Sequence, residues 1–257
     1  MGGLFHKLRH PRRCYVVCAI PRSGSNLLTD GLHATRRAGR PKQFFLQKDE
    51  AQFAAAHDLN FGGDFAVYIR QITNATATSN EVFGFKLMSW YLDDFLRRLR
   101  ATCAFGGAAA SDLDLLHNAF PRLQFVRIVR RNKLRQALSK ARAAQTNLWK
   151  VQDGKSAQGE PHFDANLIEQ CFRESEQQEA IWDGFFQRVN VAPFGVEYEK
   201  LCADYEGTIR AVLSFLKISL PSRTRIGTPV TIKQSDQISS AWEERFLSEH
   251  STVLAQI

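Results

Sequence analysis

The stretch Cys14-Tyr-Val-Val-Cys-Ala-Ile-Pro-Arg-Ser-Gly-Ser-Asn-Leu-Leu28 decides the fold. Residues Cys14 to Ile20 are apolar on both faces and partly β-branched, the pattern of a strand buried in a parallel sheet, and Pro21 stops it. From Gly24 onward Leu27, Leu28 and Leu32 recur at helical spacing until Gly39 and Pro41 end the pattern. A strand that turns into a helix through small polar residues aims backbone N–H groups and the positive end of a helix dipole at one point, an anion-binding position. Arg22 adds a guanidinium that can fork two oxygens. Taken alone, the motif also fits an ordinary turn capped by Ser23 or Ser25. It is not the phosphate loop of nucleoside triphosphatases, because G-x-x-x-x-G-K-[ST] is absent, so an ATP or GTP site is disfavoured.

Outward from this stretch, strands and helices alternate. Val82–Met88 reads as a second strand, followed by a helix with Leu92, Phe95, Leu96 and Leu99 on one face. Leu123–Val129 reads as a third and leads into a helix from about Asn132 to Leu148. Further helices are expected around Asp49–His57, Asp64–Thr73 and Asp164–Val189, with Gly106–Ala110 as a loop. A fourth strand, Pro193–Glu197, precedes one helix over Tyr198–Leu216, and Ala241–Leu254 forms a last amphipathic one. The alternation predicts an α/β fold with a mostly parallel central sheet and helices on both faces. Residues 1–13 read as a basic tail and 14–257 as a single domain, without repeats.

Composition narrows the class. With 257 residues, 44% hydrophobic and 23% charged, the chain has material for a buried core and lacks a disordered composition. No apolar run reaches the roughly 18 residues of a membrane span. Five cysteines without metal-type spacing exclude a zinc site, and Cys14 and Cys18 share a strand face as buried thiols do, so a reducing cytoplasm is expected. Lys7, Arg9, Arg12 and Arg13 precede no apolar signal region; a solvated terminus is expected, with contact to an anionic membrane surface as the alternative. The net charge of +8 points to an anionic partner, and its distribution supports this. From Ala119 to Gln152 there is no acid but Arg122, Arg127, Arg130, Arg131, Lys133, Arg135, Lys140, Arg142 and Lys150. Arg and Lys at the start of a helix oppose its dipole, which favours a ligand as the reason for them. Arg130 at a strand end and Ser139 about two turns into the helix form a second anion cradle.

Two cradles on neighbouring strands suit a nucleoside carrying phosphate at both ends. Pro-Arg-Ser-Gly-Ser-x-Leu-Leu at 21–28, the Arg130 to Ser139 segment, and Gln234-x-Asp236 resemble the bacterial trehalose 2-sulfotransferase family in order and spacing over about residues 14 to 250. Pro41–Phe45, Gly84–Met88, Gln145–Trp149 and Ser239–Phe246 are weaker landmarks of the same likeness. The resemblance implies a P-loop-like sulfotransferase fold that uses 3′-phosphoadenosine 5′-phosphosulfate (PAPS), no metal, and a sugar or glycolipid acceptor. By the same likeness Arg22, Ser23, Gly24, Ser25 and Asn26 would embrace the 5′-phosphosulfate and Arg130 and Ser139 the 3′-phosphate. Lys233, Gln234 and Asp236 would close over the nucleotide, Lys86 would reach the transferring oxygens, and the protein would be a homodimer.

Two positions depart from the family. Asn26 stands where Thr is more frequent, which alters one hydrogen bond and keeps polarity. Gln43, in Pro41-Lys-Gln-Phe-Phe45, stands where the family has its general-base Glu. An amide cannot take a proton but can hold an acceptor hydroxyl, and Asp49, Glu50, His33 or His57 are the other candidate bases. Phe44, Phe45, Trp90 and Trp149 fit either a sugar-stacking platform or the core. A non-catalytic PAP, polyanion or nucleic-acid binder is the competing class, although no nucleic-acid module accompanies the charge and no such partner is expected. A kinase-like nucleotide enzyme is a third.

Overall fold

The computed structural model describes residues 11–149, 158–221, 223–227 and 237–249. Four parallel strands, β1 (Arg13–Ala19), β2 (Val82–Met88), β3 (Gln124–Val129) and β4 (Phe194–Glu197), form one sheet in the order β2-β1-β3-β4. β1 is central and almost wholly buried, as its two-faced apolar sequence requires. Between the strands run α1 (Ser25–Ala34), α2 (Gln47–Ala56), α3 (Phe65–Thr76), α4 (Leu92–Ala101), α5 (Asp112–Ala119), α6 (Lys133–Thr146) and α7 (Ala165–Val189). After β4 come α8 (Tyr198–Ala203), α9 (Tyr205–Phe215) and α10 (Gln237–Glu249).

Alternation along the strands assigns the two faces. Phe85 meets Phe95 of α4, and Phe125 meets Phe185 and Phe186 of α7, while Trp182 of α7 donates to the Ala19 carbonyl at 3.0 Å. On the opposite face the Tyr15 hydroxyl donates to the Ala38 carbonyl, just past α1, and Gln124 donates to Phe215 at the end of α9. Helices therefore cover both faces, the expected architecture. A smaller apolar cluster joins α6, α7 and α10 through Leu138, Phe172, Trp242 and Phe246.

Four readings of the chain need correction. Tyr198–Leu216 is two helices, because Asp204 leaves helical geometry (φ −135, ψ 81) and its side chain caps α9 by accepting from the Gly207 N–H at 2.9 Å. The helix α5 was not anticipated; its signal is Ser111, which accepts from the Asp114 N–H at the N-cap. Gly106–Ala110 is partly short 3-10 turns, not a plain loop. The last helix starts earlier, at Gln237, and the expected part beyond Glu249 lies outside the described residues.

Candidate active site

The loop after β1 is built around Gly24. Its φ of 88 is left-handed, and a Cβ there would stand 2.2 Å from Cδ2 of Tyr198, so only glycine fits on both counts. Arg22 also takes a left-handed φ of 62. Ser23 is fully buried and turns inward, its hydroxyl donating to the Ile20 carbonyl at 2.8 Å. With Gly24 as N-cap, no side chain among the described residues caps the first turn of α1, the arrangement that suits an external anion. The start of α6 is different: Asn132 accepts from the Arg135 N–H, and Glu199 accepts from the Arg131 and Asn132 N–H groups at 3.0 and 3.1 Å. The helix that begins the basic segment is thus already satisfied.

The two expected cradles form one positive centre. Arg22 donates through Nε to Ser139 Oγ at 2.8 Å and through Nη1 to the Trp149 carbonyl at 2.6 Å. Arg130 lies over the Tyr198 ring, 4.8 Å from its centroid, and reaches the Arg22 carbonyl at 3.5 Å. Its Nε is buried without a hydrogen-bond partner among the described residues. Burial first, and then the Arg130 charge, push the Arg22 guanidinium down to about 10. Two desolvated guanidinium groups side by side are a site that an anion relieves. Fully buried Gln136 braces the arrangement by donating to the Pro21 carbonyl at 2.9 Å.

Beside this centre, Lys86 extends from β2 on the α1 face and its Nζ donates to Asn26 Oδ1 at 2.5 Å, with the residue 6% exposed. The Lys86 N–H donates to the Lys42 carbonyl at 2.9 Å, which fixes Pro41–Phe45 along the outer edge of β2 and brings Gln43 to the same end of the sheet. Gln43 is partly exposed there. The structure thus gathers Arg22 to Asn26, Lys86, Gln43, Arg130 and Ser139 at the carboxyl ends of β1, β2 and β3.

Other candidates separate. Glu50 is held bidentately by Arg98 at 2.7 and 2.8 Å and buried, which occupies the carboxylate. His33 sits in the last turn of α1, about 12 Å along the helix from Ser25. His57 ends α2, and burial, Arg40 and Lys42 lower its pKa. Asp49 lies in the first turn of α2; burial first, and then the Asp49 charge, raise the pKa of Tyr91, whose hydroxyl donates to the Lys86 carbonyl.

The aromatic platform is half of what the sequence offered. Phe44 and Phe45 are fully buried, and Phe45 packs among Phe83, Phe85, Phe95 and Phe120, so neither ring has a face for a sugar. Trp90 and Trp149 stay exposed, at 50% and 45%. Lys233, Gln234 and Asp236 lie outside the described residues. Tyr198 and Gln136 were missed; Tyr198 follows the fourth strand directly, a position that could have signalled it.

The acid-free basic stretch is not a bare positive surface. Arg127 pairs with Asp183, Arg131 with Glu197, Lys133 with Glu179, Arg135 with Glu243 and Lys140 with Glu174, acids supplied by β4, α7 and α10. The cations at the start of α6 therefore have tertiary partners, and the dipole argument for a ligand fails for Lys133 and Arg135. No helix among the described residues is long and apolar enough to cross a membrane.

The model of the Stf0 sulphotransferase family matches residues 14–249. A trehalose 2-sulfotransferase of Mycobacterium tuberculosis strain Erdman is 26% identical, and one of Mycolicibacterium smegmatis 28%; each alignment covers 92% of this chain and 95% of the relative. Among solved structures, the sulfotransferase domain of the Synechococcus PCC 7002 olefin synthase aligns at 16% identity and a TM-score of 0.47, covering 93% of this chain and 89% of that one. A sulfotransferase of Mycobacterium tuberculosis H37Rv aligns at 14% and 0.47, covering 94% and 78%.

Proposed function

Since the chain belongs to the Stf0 sulphotransferase family, we propose that it moves the sulfuryl group of PAPS to a hydroxyl of a carbohydrate or glycolipid. The observation that carries this reading is the first turn of α1, uncapped by any described side chain, beside the half-buried Arg22–Arg130 pair. The fit rests on the chain's own demands: Gly24 admits no side chain, Arg130 Nε is buried without a partner among the described residues, and nearby cations oppose one another. PAPS, when bound, supplies a sulfuryl group on a good phosphate leaving group.

The residues divide the work. The first-turn amides of α1 and Arg22 hold the negative charge that grows on the leaving phosphate. Arg130 holds the 3′-phosphate together with Ser139, whose hydroxyl accepts from Arg22. Lys86, fixed by Asn26, neutralises the oxygens in transfer, while Gln43 hydrogen-bonds the acceptor hydroxyl and holds it in line, and the hydroxyl proton passes to solvent at this partly exposed position. Catalysis then rests on positioning and electrostatics, as in phosphoryl transfer. Trp90 and Trp149 offer the exposed rings for a sugar face, and the two named relatives make trehalose the first acceptor to try. A homodimer is the assembly carried over from the family.

Without a carboxylate at Gln43, turnover should be low by about 10²–10⁴-fold. Gln43→Glu should therefore raise transfer, and no change or a loss would remove Gln43 from the acceptor side. The direct test is calorimetric titration with PAP, with AMP and ATP as controls. Tight PAP binding that AMP and the Arg130→Ala/Ser139→Ala variant fail to reproduce supports the reading. Equal binding of PAP and AMP would sink it and leave a polyanion binder.

A further inference from the structure

We infer a second anion site, for a ligand bearing two or more linked phosphate groups, at the amino-terminal edge of the sheet. A cavity of about 390 Å³ opens there. Arg12, Arg13, Arg37, Arg122 and Lys217 line it, with Glu81 as the one acid among the lining residues. Glu81 is taken by Arg12 at 2.7 Å. Arg13 donates to the Lys217 carbonyl, and Arg37 Nε is buried without a hydrogen-bond partner among the described residues. Arg13, Arg37, Arg122 and Lys217 have no carboxylate partner among the described residues, in contrast to the paired cations of α6. Arg13 and Val82 begin β1 and β2, so the length of a seven-residue strand, about 20 Å, separates this cavity from the Arg22 loop. Its charge cannot serve the same group.

Three lining residues, Glu81, Arg122 and Lys217, hold left-handed φ values of 61, 52 and 54, as Arg36 and Asp58 do outside the cavity. Guanidinium forks match tetrahedral oxyanions, and a cavity of this size holds a small ligand's phosphates. The phosphates can come from a soluble oligophosphate or from a phosphorylated lipid headgroup.

The test titrates tripolyphosphate into the full chain, the Arg122→Asn/Lys217→Asn variant and Arg22→Ala. Asparagine suits the left-handed backbone, so the double variant should keep the wild-type melting temperature, and Arg37→Gln is the second variant if it does not. With PAP in excess to fill the Arg22 loop, the expected result is one site that weakens at least about tenfold in the double variant and survives in Arg22→Ala. Binding that is unchanged in the double variant and Arg37→Gln, or lost only in Arg22→Ala, overturns the proposal. Sedimentation with vesicles of cardiolipin in phosphatidylcholine but not with phosphatidylcholine alone, lost in the double variant, assigns the phosphates to lipid. Tripolyphosphate binding without such sedimentation assigns them to a soluble ligand.

Discussion

Gly24 and Lys86 each carry one test of the proposed chemistry. Gly24→Ala must hold a left-handed backbone, which costs about 1–2 kcal/mol, and must displace the Tyr198 ring, which costs about 1–3 kcal/mol. Denaturant unfolding should show the loss, and PAP affinity should fall because Tyr198 also carries Arg130. Tyr198→Ala in the same chain should return the steric part and not the backbone part. At Lys86 the stem is buried and the ammonium meets Asn26, so Lys86→Met keeps the packing and removes the charge. Turnover should drop with little change in PAP affinity, and an unchanged kcat would place Lys86 outside the reaction.

At the scale of elements, short caps and ion pairs decide where helices end and how they dock. Asp204 terminates α8 and caps α9, and Asp204→Ala should lower stability by about 0.5–2 kcal/mol in a thermal melt. Around α6, the Lys140 and Arg135 side chains hold Glu174 and Glu243 below the ordinary carboxylate value of 4.5. A carboxylate depressed by folding contributes stability that is present above that value and lost as pH falls through the folded pKa. Acid unfolding followed by circular dichroism should therefore steepen below pH 4.5, and Glu174→Gln should flatten the slope. An unchanged slope would mean that these pairs add nothing.

Across the whole molecule, burial sorts the thiols. Cys14 is pushed up to about 12 and Cys18 and Cys171 are raised as well, all by desolvation, whereas Cys103 and Cys202 are exposed. A thiol reagent at pH 8 should modify two cysteines quickly in the folded protein and the other three only as it unfolds. Fast reaction of all five would contradict the buried central strand. That strand was legible from sequence, because a segment apolar on both faces can sit only inside a covered parallel sheet, and the turn at Pro21 to Ser25 follows from local backbone chemistry. The alternation of strands and helices, and the grouping of Arg22, Arg130 and Ser139, follow from the same rule that loops at strand carboxyl ends share one edge. Phe45, the pairing of the basic stretch and the role of Tyr198 were not legible. Whether a ring faces solvent, whether a cation meets a carboxylate 108 residues away as Arg135 meets Glu243, and which side chain fills the space above a glycine are matters of long-range packing. Local pattern determined the four strands and the turn after β1, while tertiary contact alone decided which of the described charges found partners, because neutralisation depends on distance in space and not along the chain.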